Sequence, residues 1–278
     1  MVKAKKQIEQ DLKLIDVVIE ILDARIPISS QNPDINKLVQ NKKRIIVLNK
    51  SDLANDYQTK MWKTYFENKG IPCVATDSNT GFGIKDVLKN VDYVMEAEIK
   101  KQVEKGRIGK NIKLLVVGIP NVGKSSFINR IAKRNTANVG NQPGITKQKQ
   151  WIRIQNNIEL LDTPGILWPK LEKEEVALNL AYIGTIKEDV IEPIEVSYHL
   201  IKYLYSNNKH ELFSRYKISE QEINNNVNIL TQIMHLIGKK RGALLAGGKI
   251  DETKTAKIVL EDFRSGRIGK ITLEKAIL

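Results

Sequence analysis

Gly118-Ile119-Pro120-Asn121-Val122-Gly123-Lys124-Ser125 decides the reading of this chain. It is a G-x-x-x-x-G-K-S that follows an apolar run of strand length, 113–117, and opens a helical stretch over 126–133. In that setting glycines let backbone amides close around phosphates, Lys124 reaches the outer phosphates, and Ser125 offers its hydroxyl to magnesium. An accidental glycine-rich turn would not also bring the strand before it and the helix after it. Asn121, Val122, Gly123 and Ser126 complete the set of loop residues expected at the phosphates.

Outward from this loop, the first half of the chain alternates strand-like and helix-like segments. Runs rich in Val, Ile and Leu at 17–22, 44–48, 72–75 and 113–117 are separated by amphipathic stretches, which predicts βαβ units and a parallel sheet buried on both faces. Two further runs, 150–154 and 158–161, flank Asn156-Asn157 and suggest a hairpin. After Pro169 strand alternation gives way to helical spacing over 196–205, 223–237 and 255–263. The expected organisation is an α/β P-loop domain over 1–170 and a smaller all-α domain over 171–278.

Three more segments carry chemistry. Asp162-Thr163-Pro164-Gly165 ends the second hairpin strand, where an aspartate can hold magnesium through water and the Gly165 amide can meet a γ-phosphate, although alone it would mean only a turn. In Pro143-Gly144-Ile145-Thr146-Lys147, Thr146 is placed to complete the magnesium shell. Asn49-Lys50-Ser51-Asp52 follows the 44–48 run. The Asp52 carboxylate there can accept paired hydrogen bonds from the guanine N1-H and amino group, which adenine does not present. Asn49 would brace that loop and the Lys50 stem would cover the base. Asp77, Ser78 and Asn79 could add backbone amides to the guanine O6, although Asp-Ser-Asn is equally good as a plain turn. These parts predict binding of GTP and GDP with Mg2+, with Lys124, Thr146 and Gly165 nearest the hydrolytic chemistry.

Their order is unusual. The guanine-reading motif precedes the phosphate loop, the reverse of an ordinary small GTPase, so the domain is circularly permuted, which is permissible where termini lie near each other at the surface. Asp162-Thr163-Pro164-Gly165 then leads within a few residues into the helical region.

Composition narrows the class. The 278 residues suffice for one α/β domain and a smaller companion. A net charge of +13 attracts polyanions, so nucleic acid is a candidate partner, while a lysine-rich chain can also be basic without binding anything. The charged run 96–111, with Lys100, Lys101, Lys105, Arg107 and Lys110, is either a solvated helix end plus linker or part of a basic surface. The single Cys73 excludes a disulfide framework, and His199, His210 and His235 form no metal-like spacing. Asp11, Asp16 and Glu20 interrupt the N-terminal apolar stretch before it takes signal-peptide or membrane-span form, so a cytoplasmic protein with no membrane partner is expected.

The permuted order, Asp23-Ala24-Arg25-Ile26-Pro27, the Pro-Asn-Val-Gly-Lys-Ser loop, Pro-Gly-Ile-Thr and Asp-Thr-Pro-Gly-Ile-Leu-Trp-Pro together resemble the bacterial ribosome biogenesis GTPase A family of the YlqF type. The resemblance runs nearly end to end and includes Lys239-Lys240-Arg241-Gly242 and Gly247-Gly248. It implies a circularly permuted Ras-like GTPase domain, a helical RNA-contacting domain, and a monomer acting in late assembly of the large ribosomal subunit. Asn121 resembles the asparagine that helps hold K+ beside the phosphates in related GTPases, and Ile166 stands where Ras-like enzymes carry a water-orienting Gln. The family usually begins with a Trp-Phe-Pro-Gly-His segment that has no counterpart before Met1-Val2-Lys3-Ala4, so slow intrinsic hydrolysis is expected. Lys239, Lys240, Arg241, Arg264 and Arg267 are the expected RNA contacts. Two competing readings are a signalling switch with a protein partner and no RNA, against which these basic clusters argue, and an ATP-dependent enzyme, against which Asp52 argues.

Overall fold

The apolar runs become the strands of one sheet in the computed structural model, which describes residues 10–39, 42–106, 111–133, 151–155, 157–161, 173–186, 192–224 and 228–277. β1 (Val17–Asp23) is buried along its whole length. It pairs in parallel with β2 (Lys43–Asn49) on one side and β4 (Ile112–Val117) on the other. β3 (Cys73–Ala75) lies outside β2 and β6 (Ile158–Leu161) outside β4, both parallel, while β5 (Trp151–Gln155) is an antiparallel edge. The order is β3-β2-β1-β4-β6-β5. Strands covered on both faces favour apolar residues on both sides, which is why the sequence shows runs dominated by Val, Ile and Leu. Glu20, in the middle of β1, is tolerated because Arg44 of the next strand hydrogen-bonds and neutralises it. Burial pushes its carboxyl up from the ordinary value and Arg44 opposes that shift.

Helices close on this sheet with predictable faces. α1 (Pro33–Leu38) brings Ile35 to a cluster with Val18, Leu115 and Leu161. α2 (Asp56–Asn68) starts where the Asn55 side chain accepts the Gln58 amide at 3.0 Å, and its Trp62 and Phe66 pack with Leu22, Ile46, Leu48 and Cys73. α3 (Ile84–Glu104) buries Ile84, Val87, Leu88, Val91 and Met95 at helical spacing, then continues into solvent with a Lys100–Glu96 pair at 2.6 Å. The charged run is therefore a solvated helix end as far as Glu104, and Arg107 and Lys110 lie outside the described residues. α4 (Lys124–Lys133) follows the phosphate loop directly.

The chain divides into two compact units, Met1–Lys170 with Glu274–Leu278, and Leu171–Leu273. The second contains α5 (Glu174–Tyr182), α6 (Pro193–Asn207), α7 (Lys209–Tyr216), α8 (Ile229–Arg241) and α9 (Glu252–Arg264). Its core is built from Leu200, Leu204, Leu212, Ile233, Ile237, Val259 and Phe263. Asp262, 3 % exposed, accepts both arms of Arg215 at 2.9 and 3.1 Å and so staples α7 to α9. α8 stops because Gly242 turns left-handed at φ 67°, letting the Ala243 amide return to the Gly238 carbonyl at 2.8 Å. Among the described residues no helix is long and apolar enough to cross a membrane.

The last residues of the chain rejoin the first unit. The Glu274 carboxylate accepts the Ile28 amide at 2.6 Å, the Ser29 amide at 2.9 Å and the Ser29 hydroxyl. Its backbone carbonyl accepts the Trp62 indole N-H at 2.8 Å. Charge-assisted bonds of this kind contribute roughly 1.5–3 kcal/mol net. Glu274→Ala is therefore expected to lower the unfolding free energy by about 1–3 kcal/mol in urea titrations. An unchanged midpoint would show that this carboxylate does not hold the 25–30 loop.

Candidate functional site

From β1 the chain spreads outward to β2 and β3, and from β4 to β6 and β5, so the direction of winding reverses between β1 and β4. The crevice at the carboxyl ends of strands at such a reversal is where open α/β sheets bind ligands. The segments singled out in the sequence leave the sheet there: Asp23-Ala24-Arg25 after β1, Asn49 to Asp52 after β2, Thr76 to Asn79 after β3 and Gly118 to Ser125 after β4.

Asn49 ties three of them together. It is 2 % exposed. Its Nδ2 donates to the Val122 carbonyl at 2.8 Å, while its Oδ1 accepts from Thr76 Oγ1 at 3.1 Å, the Ser78 amide at 3.1 Å and Ser78 Oγ at 2.7 Å. Gly123 is required beside it: its φ is 95°, and a Cβ there would sit 2.3 Å from Asn49 Nδ2. Lys50, with φ 58°, donates its ammonium to the Asn121 carbonyl at 2.6 Å and lies 3.2 Å from Asp23 Oδ2. Asp52 is exposed beside this network, and partial burial, with the nearby Asp77 charge, raises its carboxyl above the ordinary value. A carboxylate placed there is open to an incoming base.

The following loop differs from the simplest expectation. Asp77 accepts the Asn79 amide at 2.8 Å and Thr80 Oγ1 at 2.6 Å, a closed Asx turn. The Ser78 amide is held by Asn49, so a purine O6 would share or displace the Asn79 bond. Arg130 Nε, from α4, donates to the Ser78 carbonyl at 3.2 Å. In the phosphate loop Val122 is buried, while Ser125 and Ser126 are exposed on the first turn of α4. Lys124 donates to the Ile119 carbonyl at 2.7 Å, and burial lowers its ammonium from 10.5 to about 8. Asn121 is exposed with φ 64°. Thr146, Asp162, Gly165, Ile166 and Trp168 lie outside the described residues, and among the described residues no group of three acidic, His or Cys side chains could hold a metal by itself.

Comparison with known proteins assigns this arrangement. A family model described as 50S ribosome-binding GTPase matches residues 113–234. Ribosome biogenesis GTPase A of Bacillus cereus is 42% identical over 99% of this chain and 91% of its own length, and that of Bacillus licheniformis 43% identical over 99% and 95%. The chain belongs to the ribosome biogenesis GTPase A family. A crystal structure of GNP-bound YlqF from T. maritima superposes with a TM-score of 0.68 at 25% identity, covering 99% of this chain and 98% of that one. As a member, the protein binds GTP and GDP and hydrolyses GTP on a circularly permuted GTPase domain followed by a helical one.

Five cations were expected at RNA in the helical unit. Among the described residues Lys239 is exposed with no partner, whereas the other four are engaged. Lys240 donates to the Lys217 carbonyl and to Glu222 at 2.8 Å. Arg241 donates to the Arg215 carbonyl at 2.9 Å and lies 5.3 Å from the Tyr216 ring centre. Arg264 caps α5 through the Tyr182 and Ala181 carbonyls, both at 3.0 Å. Arg267 pairs with Glu261 at 3.2 Å and Asp262 at 2.9 Å. What sequence reasoning did not weigh is the pair Asp23 and Arg25, buried under Lys50. Its only signal was the Asp-Ala-Arg string itself.

The lowered Lys124 value has a pH consequence. Between about 8 and 10.5 the folded, nucleotide-free chain holds fewer protons at Lys124 than the unfolded chain, so this group makes stability rise with pH across that window. A triphosphate bound against the Lys124 ammonium would restore the proton. GTP affinity is therefore expected to be flat below pH 8 and to weaken above it by up to about tenfold per pH unit. Titration with a fluorescent GTP analogue between pH 7 and 9 checks this, and a flat profile to pH 9 would place the ammonium's titration higher.

Proposed function

We propose that the protein is a cytoplasmic, monomeric factor for late assembly of the large ribosomal subunit that binds rRNA in its GTP form and leaves after hydrolysis. The observation that carries the reading is the family membership joined to unsatisfied positive charge on the helical unit. Lys202, Lys239, Lys249 and Lys257 are exposed and have no acidic partner among the described residues. Such cations release counterions when they meet a polyanion, and RNA is the polyanion a ribosome factor meets. The helical unit supplies RNA contacts through Lys239, Lys240, Arg241, Arg264 and Arg267, with Lys239 the most available of the five.

The hydrolytic site works by positioning charge. Asp52 accepts the guanine N1-H and amino group, with Asn49, Lys50, Asp77, Ser78 and Asn79 forming the walls of the base site. The amides of Asn121, Val122, Gly123 and Ser126 and the ammonium of Lys124 would surround the phosphates, and Thr146 and the Gly165 amide, outside the described residues, are the groups assigned to the γ-phosphate. The residues present suit Mg2+: Ser125 Oγ is exposed at the head of α4 with no other partner among the described residues, and Thr146 and Asp162 are the further oxygen donors. Bound there, Mg2+ neutralises charge developing on the phosphates. Asn121, exposed in the phosphate loop, would be the K+ residue.

Co-sedimentation with large subunits under GDP and a non-hydrolysable GTP analogue tests the proposal. Binding is expected with the analogue and release with GDP. Replacing Lys239 and Lys240 by Ala should reduce the log-log salt slope by about one unit per lost phosphate contact. Absence of binding at low salt would favour the signalling switch with a protein partner. Turnover should rise with both K+ and subunits, added charge of this kind being worth on the order of a thousandfold, and equal rates in Na+ without subunits would remove both from the mechanism. Asp52→Asn turns an acceptor into a donor facing donors, so GTP affinity should fall more than about tenfold in a nucleotide titration.

A further inference from the structure

Asp23 closes β1 at 0 % exposure, and Arg25 is 1 % exposed. Arg25 grips the carboxylate with both arms, Nε to Oδ1 at 2.9 Å and Nη2 to Oδ2 at 2.8 Å, and its own amide adds a bond to Oδ1 at 3.1 Å. That pair is already neutral and geometrically complete. A second cation, the Lys50 ammonium, nevertheless lies 3.2 Å from Oδ2 and donates onward to the Asn121 carbonyl of the phosphate loop at 2.6 Å. Packing the β1 end requires one counter-ion for Asp23, and the fold supplies two. The extra one belongs to the base-reading loop.

From this geometry we propose that Asp23 is a positioning residue for the nucleotide site: its buried carboxylate fixes the Lys50 ammonium so that the guanine-reading loop is locked onto the phosphate loop. The inference rests on the assignment of Asn49 to Asp52 as that loop. Lys50 sits in the left-handed region at φ 58°, which a long side chain adopts only when its surroundings impose it. Burial lowers the Lys50 ammonium and the Asp23 charge opposes that, while Arg25 repels it. Without the Asp23 charge, the partly buried Lys50 ammonium would lose the carboxylate that offsets its desolvation and would leave for solvent. Its stem would then no longer lie where the base stacks, nor its head against Asn121. Asp23 reaches the phosphate loop through Lys50 at the Asn121 carbonyl, a contact that does not depend on the γ-phosphate, so GTP and GDP are affected alike.

A double-mutant cycle tests this in the full chain with mant-GDP and mant-GTP as probes. Lys50→Met should weaken both nucleotides at least about tenfold. Asp23→Asn, which keeps the shape and removes the charge, should weaken both by a similar factor, raising KM for GTP with kcat changed less than about twofold. In the Lys50→Met background the same Asp23→Asn step should cost less than about twofold, because its target is gone. Equal losses in both backgrounds would make Asp23 merely structural and overturn the proposal, as would full affinity of Asp23→Asn. Unchanged affinity of Lys50→Met would instead overturn the underlying site assignment. If Asp23→Asn does not fold, Asp23→Asn/Arg25→Met removes both members of the internal pair and is expected to show the same affinity loss, and wild-type affinity in that variant would overturn the proposal.

Discussion

One buried amide holds the nucleotide end of the sheet together. A carboxamide offers two donors and one oxygen with two lone pairs, and Asn49 uses both sides at once: three groups of the 76–78 loop on its oxygen and the phosphate-loop carbonyl of Val122 on its nitrogen. Aspartate in its place would keep the acceptor but turn a negative oxygen on the Val122 carbonyl. Leucine would fill the space and leave several buried groups unpaired, each at a cost of roughly 1–3 kcal/mol. Because the bonds are made within the protein, the 49–52 loop, the Ser78 loop and the 118–125 loop have their mutual positions set without a ligand. Ordering that would otherwise be deducted from binding is built into the fold.

Parallel pairing makes this possible despite the permuted chain. Asp23 pairs with Asn49 in the β1–β2 register, so the loops after two successive strands start side by side. β4 joins β1 on its other edge and brings the phosphate loop to the same end. The sheet needs these strands as neighbours and is indifferent to which comes first in the chain. Permutation alters instead what the connections carry: the chain runs from the 162–165 segment toward the helical unit, and it returns at Glu274 to cap the 28–29 amides just beyond Arg25. The helical unit is thus bounded at both chain ends by segments that belong to the nucleotide unit.

The strands were legible because Val, Ile and Leu dominate them, and the phosphate loop because its residue types are forced by phosphate geometry. The boundaries of α8 and α9 were legible only roughly, since their caps, Asn228 and Asp251, are polar residues in polar surroundings. The Asp23–Arg25–Lys50 cluster was not legible. It depends on strand register, which brings Asp23 next to Asn49, and on a left-handed Lys50 that no spacing rule announces. Glu274 was equally hidden, since its partners Ile28 and Trp62 stand more than two hundred positions away and a glutamate near a chain end reads as a solvated charge. The amide of Ser78 illustrates a third limit. Sequence identifies a turn suited to a ligand, but only coordinates show that Asn49 has already taken one of its donors.

The same lesson applies to the basic composition. A count of +13 describes the field at a distance, whereas binding depends on which cations are still free to shed counterions. Arg264 gives its guanidinium to two helix-end carbonyls, and Arg267 gives its to two carboxylates. Both strengthen the helical unit and would have to surrender bonds before meeting a phosphate. Lys239, in the last turn of α8, has no side-chain partner to surrender among the described residues, and its positive charge suits the carboxyl end of that helix. Neighbouring arginines and lysines with similar sequence signals therefore divide by their partners: those drawn into the fold would give up bonds to reach a polyanion, and those without such partners among the described residues could meet one directly.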